Sequence, residues 1–212
     1  MNYYGHKGLD KFLYQKYLVN KVGGLSIEAG ATDGISLSTC KTLEEIGWKC
    51  VNIEPNPVEF AKLIVNRPLS INLNVGLSYE DGVSLFDASK RPKNGHLVGV
   101  RGPTPYFQVA NPRNPGQRGG SYKFEVKTVT YKTLISDLKI DRVDLFVLDV
   151  EGWEPNVIEG MKNCAVLPDI FCVEVSKEIN AIINHEQLIE KMFDGLYKKD
   201  GSCWANDIYI KA

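Results

Sequence analysis

Apolar positions along this chain change their period several times, and each change marks an element. Between Asp10 and Asn20 they recur three to four apart (Leu13, Tyr14, Tyr17, Leu18), which predicts a helix over 9–22 with Asp10 as its cap. Gly23 and Gly24 break it. Leu25, Ile27 and Ala29 then alternate as a buried strand ending on Gly30, and Leu37, Leu43 and Ile46 predict a helix over 35–46. Residues 49–54 read as a second strand. Glu54-Pro-Asn-Pro57 stops it and starts a helix over 58–66, before a third strand at 70–76.

From Leu77 to Lys132 the rhythm becomes β-like, at 83–87, 95–100 and 122–130. A long stretch rich in proline, glycine and asparagine separates the last two. Ala88 to Phe124 holds no acid but seven bases: Lys90, Arg91, Lys93, Arg101, Arg113, Arg118 and Lys123. So long an irregular piece is either a solvated loop or a lid. As a lid it would offer Arg101 and Arg118 to an anionic or polyhydroxylated substrate, with Tyr106 and Phe107 as stacking faces. Regular alternation returns with a helix at 133–138, a strand at 143–149 and a helix at 154–161. A strand at 169–175, a helix at 185–193 and two closing strands complete the chain. The expected fold is one α/β domain, a doubly wound, mostly parallel sheet with an antiparallel edge and a β/loop insertion. Its parts are the N-terminal helix 9–22, a cofactor-binding core 23–76, a substrate-lid insertion 77–130 and a core completion 131–212.

Composition narrows the class. The net charge of −1 gives no global attraction to nucleic acid, and no apolar run is long enough to span a bilayer. Five cysteines without a C-x-x-C pair read as reduced core thiols, not a zinc site, so a cytoplasmic location is expected.

The chemistry gathers at strand ends. Glu28-Ala-Gly-Ala-Thr-Asp-Gly34 is a strand–turn–helix start without the glycine pair of a dinucleotide fingerprint. Its acids, Glu28 and Asp33, disfavour a diphosphate and suit a ligand with hydroxyls and positive charge, such as S-adenosylmethionine. Glu54 ends the second strand at the position from which an acid grips ribose hydroxyls; the lesser alternative is a surface acid that caps the next helix. Asp149-Val-Glu-Gly-Trp-Glu154 sets three carboxylates within six residues at the end of a buried strand, an arrangement costly unless used. Glu154 also suits the start of a helix dipole. Glu174 ends the next strand. His6 and His96 are outlying candidates, more readily read as surface residues.

Together, the glycine turn, Gly47-Trp48, Ile53-Glu-Pro-Asn-Pro57 and Asp149–Glu154 resemble the FkbM methyltransferase family over roughly residues 25–160. The resemblance implies a Rossmann-like class I fold with a seven-stranded sheet, and an S-adenosylmethionine-dependent O-methyltransferase acting on sugar or natural-product hydroxyls. By position, Glu28, Gly30, Asp33 and Gly34 would cradle the methionine end. Glu54 would hold the ribose and Asp149 would lie beside the transferring methyl, with Ala31, Ser36 and Pro55 on the same wall. A hydroxyl acceptor needs its proton removed. Asp149, Glu151 and Glu174 are candidates for that, or Asp149 and Glu174 for holding Mg²⁺. The basic insertion keeps RNA ribose 2′-O methylation open, with Lys7 or Lys177 joining Asp149 and Glu174, although the overall charge argues against nucleic acid. A silent nucleotide- or glycan-binding module is the reading from another class. The sequence carries no signal for oligomeric state.

Overall fold

The central strands are short apolar runs whose side chains are covered on both faces. In the computed structural model, which describes residues 1–88, 95–98, 122–175 and 184–212, the strands in chain order are as follows. The first three are β1 (Leu25–Ala29), β2 (Lys49–Ile53) and β3 (Ile71–Leu73). The middle four are β4 (Gly76–Leu77), β5 (Gly82–Ala88), β6 (Gly95–Val98) and β7 (Tyr122–Val129). The last are β8 (Leu145–Leu148), β9 (Ile170–Glu174), β10 (Tyr197–Cys203) and β11 (Asn206–Lys211). The described helices are α1 (Leu9–Leu13), α2 (Lys41–Glu45), α3 (Pro57–Asn66), α4 (Tyr131–Asp137), α5 (Glu154–Glu159) and α6 (His185–Met192).

The main sheet has seven strands in the order β10-β11-β9-β8-β1-β2-β3. Pairing is parallel from β9 to β3, and β11 runs antiparallel to both β9 and β10. This is the doubly wound sheet with an antiparallel edge that the sequence predicts.

Alternation along β8 shows why the sheet is buried twice. Leu145 and Val147 join a cluster with Leu9, Leu13, Leu43 and Trp48 on one face. Phe146 and Leu148 join Tyr131, Val157 and Phe171 on the other. Rings continue across that second face: Phe146 stacks on Phe171 at 5.3 Å between centroids, with Tyr131 5.1 Å from Phe146. Each such side chain contributes about 1.5–3 kcal/mol by leaving water. At the opposite end of the strands, Leu25 N donates to Asp144 Oδ2 at 2.7 Å, and Asp144 is held by Lys21 and Arg142. That ion cluster ties the start of β1 to the start of β8.

The insertion forms its own four-stranded sheet, β4-β7-β5-β6. Phe86 and Val126 bury into the main core, and Phe86 lies 5.2 Å from Phe124, so this sheet is packed on the domain. Arg101, Tyr106, Phe107, Arg118 and Lys177 lie outside the described residues.

Three expectations are corrected. The helix predicted over 35–46 is only α2, five residues long. Before it the chain is irregular, with Leu37 at φ 65° and exposed, because acid side chains take the backbone amides that a helix would use. Asp10 does not cap α1. It lies inside the helix, buried, and accepts from Tyr4 N at 2.6 Å and Thr42 Oγ1 at 2.7 Å, pinning the N-terminal segment to α2. The first helix also stops early. After α1 it widens into a π turn over Tyr14–Leu18.

Candidate functional site

The order of strands locates the crevice. β1 pairs with β2 on one side and with β8 on the other, so the chain leaves the sheet in opposite directions from adjacent strands, and ligands bind at that switch point. Gly30 sits there at φ 89°, and a Cβ on it would lie 1.9 Å from the carbonyl oxygen of Asp149. Only glycine fits. Gly30 and Ala31 both donate their N–H to Ile53 O, at 3.0 and 3.1 Å, which draws the turn onto the end of β2.

The loop after Gly30 is built from side chains that replace helix bonds. Asp33 Oδ1 accepts from Ile35 N at 3.0 Å and Ser36 N at 2.6 Å, while Ser36 Oγ donates to Asp33 Oδ2 at 2.7 Å. Glu28 is buried and accepts from Ser38 Oγ at 2.7 Å, Thr39 N at 2.5 Å and Cys40 N at 3.3 Å. Burial raises its proton affinity, against the pull of the nearby Arg67 and these donors. Beneath lies Arg67, 0% exposed at the end of α3. It pairs with Glu44 at 2.7 Å, approaches Glu28 to 4.0 Å, and donates to Gly34 O at 3.2 Å and Ser38 Oγ at 3.3 Å. Gly34, at φ 77°, leaves room for it, since a Cβ there would meet Arg67 Cγ at 2.8 Å. Glu28 and Asp33, expected at the cofactor, thus spend most of their hydrogen bonds on the loop itself.

Glu54 follows β2 and is buried. Its two oxygens accept from Thr32 N at 2.8 Å and Asn56 N at 2.7 Å. Burial pushes its pKa up to about 7 in spite of these amides, and Glu59 adds to the rise. Glu54 does not cap α3. Asn56 does, accepting from Val58 N at 3.0 Å, so Glu54 is oriented toward the turn after β1. Pro55 is partly exposed beside it.

Carboxylates crowd the other side of the switch point. Asp149, Glu154 and Glu174 each bring an oxygen within 4.8 Å of the others. Glu154 is fully buried, and its Oε1 accepts from Val150 N at 2.9 Å and Gly152 N at 3.2 Å. Burial first, and Glu174 second, push its pKa up to about 8. Asp149 titrates well above the usual carboxylate range, through surrounding protein first and then Glu174, Glu151 and Glu154. Its side chain nevertheless keeps solvent access, so the repulsion among like charges is the cause that survives in water. Glu151 turns at φ 56° beside Gly152, and Trp153 is buried, its Nε1 donating to Ser78 Oγ at 3.3 Å. His6 does not belong to this cluster, and the side chain of His96 lies outside what the structure describes.

A doubly wound sheet with a glycine turn, a second-strand acid and a carboxylate at the switch point is a Rossmann-like arrangement. The chain belongs to the methyltransferase FkbM domain family, whose pattern matches residues 28–199. The structure of the FkbM methyltransferase from Methylobacillus flagellatus KT aligns with 95% of this chain at 12% identity and a TM-score of 0.57. The chain spans 47% of that protein's length. The Escherichia coli protein yhhF aligns with 99% of this chain, and with 88% of its own length, at 10% identity and a TM-score of 0.46, too loose a likeness to bear on function. No curated protein matches.

Sequence reasoning set Glu154 aside as a dipole acid and passed over Arg67. The only sign of Arg67 was a base at the end of a predicted helix, which reads as a solvated dipole partner. The sign for Glu154 was its spacing from Gly152: four residues past Val150, it can fold back onto the tight turn.

Proposed function

We propose that the protein is an S-adenosylmethionine-dependent O-methyltransferase acting on a sugar or glycan hydroxyl. The observation that carries this reading is the pairing of an oriented, buried Glu54 with a solvent-accessible Asp149 across one switch point. The donor set fits the cofactor: carboxylate for ribose hydroxyls on β2, an approachable glycine turn on β1, and acids where a diphosphate would be repelled. Bound there, S-adenosylmethionine supplies a methyl group on a sulfonium, open to in-line displacement. Glu54 would hold the ribose, with the amides of Thr32 and Asn56 holding Glu54. Gly30, Ala31, Gly34 and Pro55 would form the wall, and Glu28, Asp33 and Ser36 would keep the loop in shape behind it.

Holding the acceptor in line is worth roughly 7–11 kcal/mol. The hydroxyl is nearly as weak an acid as water, whose pKa is about 15.7, so its proton must leave as the bond forms. Asp149 is the general base in this reading. Glu174 and Glu151 raise its proton affinity toward the hydroxyl's, and such a base contributes roughly 10²–10⁴-fold. A second reading gives the same oxygens to Mg²⁺, since Asp149, Glu154 and Glu174 are hard donors within 4.8 Å of one another.

Calorimetry with S-adenosylmethionine tests the cofactor. Binding by the intact chain and at least tenfold weaker binding by Glu54→Ala are expected, and binding untouched by that change would sink the assignment. Transfer of labelled methyl to a glycan panel but not to capped RNA is expected. Survival of that transfer in EDTA eliminates the cation.

A further inference from the structure

The chain has three tryptophans. Trp48 and Trp153 are core residues, 4% and 3% exposed, whereas Trp204 is 73% exposed. Its place in the fold is specific. Trp204 and Ala205 make the two-residue connection between β10 and β11, closed by the Cys203–Asn206 pair. Asn206 lies directly across from Glu174, so the indole stands about two residues, roughly 7 Å, past the level of the acid cluster. Val175 N donates to Ala205 O at 2.6 Å, which fixes the hairpin tip to the chain just beyond Glu174.

Trp204 has φ 55°. The first residue of a tight hairpin connection favours glycine or asparagine at such an angle, and a bulky side chain there is strained. A surface position that keeps a costly, exposed indole against its backbone preference points to use. The ring is also supported. Lys7 Nζ lies 4.8 Å from its centroid, close enough for a cation–π contact. Lys7 is held in place by its neighbours, since Gly5 bridges to Leu37 and Asn2 O accepts from Thr42 Oγ1 at 2.9 Å. Both Trp204 and Lys7 fall outside residues 28–199, the part shared with the family.

We propose that Trp204 is the stacking platform for a pyranose ring of the acceptor, which takes one face of the indole while Lys7 steadies the ring from the other. This rests on the reading of the site as a sugar O-methyltransferase. The C–H face of a sugar packs on an exposed indole while its hydroxyls point outward to polar groups, so one ring of a longer acceptor can lie on Trp204 while another presents its hydroxyl toward Asp149, at the end of β8 and at least two strands away. A nucleobase can stack on indole as well. The adjoining carboxylates of Asp149, Glu154 and Glu174 repel the phosphates that would come with it, which favours the sugar.

The test uses the full chain and Trp204 as its own reporter, because the other two indoles are buried. Maltotriose, mannotriose, chitotriose and single-stranded oligouridylate are titrated while fluorescence is followed. A saturable change with at least one trisaccharide is expected, weakened roughly tenfold in Lys7→Ala. Trp204→Phe, which lacks the exposed reporter indole, is followed by saturation-transfer NMR, where sugar signals persist; in Trp204→Gly they disappear. In methyl-transfer assays Trp204→Gly raises the acceptor KM at least tenfold and shifts kcat less than threefold. Thermal melting guards against misfolding: Trp204→Gly relieves the backbone and leaves Tm equal or higher. Calorimetry with S-adenosylmethionine on the same samples separates the two ideas, since loss of cofactor binding by the parent chain would break the methyltransferase reading and leave the sugar titration readable. No response to any trisaccharide, a response undiminished in Trp204→Gly, or tighter binding of oligouridylate overturns the proposal.

Discussion

The two walls of the crevice handle negative charge in opposite ways. On the β1–β2 side, Glu28 and Glu54 are buried, but every oxygen faces donors: amides of Thr32, Thr39 and Asn56, the Ser38 hydroxyl and the Arg67 guanidinium. On the β8–β9 side, Asp149, Glu154 and Glu174 face one another, and Glu154 turns to the amides of Val150 and Gly152. The first wall uses carboxylates to hold a shape. The second concentrates them where the proposed reaction would need a proton taken up, at an electrostatic cost.

Changes on each wall can break that contrast. The largest effect is expected from Asp149→Asn. It should lower kcat by about 10²–10⁴-fold while leaving S-adenosylmethionine affinity within a few-fold, as read by parallel kinetics and calorimetry. Because the change also removes one of three mutually repelling acids, Tm at neutral pH should rise; a fall in Tm would mean that the acid wall is structural. Arg67→Met attacks the other wall. It leaves Glu28 and Glu44 without their cation and should cost about 3–5 kcal/mol in urea unfolding, with cofactor affinity falling alongside. An unaffected midpoint would show that the guanidinium does not set the loop.

Acidity separates the walls more gently. Glu54 and Glu154 have pKa values raised to about 7 and about 8 from 4.5. A raised acid binds its proton more tightly in the folded state, so its contribution is complete below pH 4.5 and is lost as pH rises through 7 to 8. Tm should therefore decline between pH 5 and 8.5, and Glu154→Gln should flatten the upper part of that decline. A Tm that climbs over this window would contradict the picture of strained acids. The smallest effect belongs to Asn56→Ala, which removes the cap of α3 and should cost about 1 kcal/mol with little change in kcat.

Much of this was legible in the residues. The strands of the main sheet announced themselves because β8 and its neighbours are apolar on both faces, and Glu54-Pro-Asn-Pro57 marked the β2–α3 junction through proline and asparagine chemistry. The loop after Gly30 was misread because its spacing of Leu37, Leu43 and Ile46 is helical. Spacing cannot show that Glu28 and Asp33 will claim the amides of residues 35–40 first. Arg67 and Glu154 escaped for a related reason: both lie in stretches that ordinarily face water, and only the tertiary fold buries them. Trp204 was the converse, an apolar residue in a terminal strand pair that the fold leaves outside.

The contact between Gly30 and the Asp149 carbonyl has a consequence for how such a protein can change. At 1.9 Å from a Cβ that is not there, the two walls meet backbone to backbone, with no side chain between them to lengthen or trim. In the proposed reaction, the distance from methyl donor to base would therefore be set by the backbone at this contact, like the fixed jaw of a gauge. Selection for a larger or smaller acceptor has no adjustable part at that point. It must act at the periphery, in the hairpin tip, the N-terminal segment and the insertion, where substitutions leave the gauge untouched.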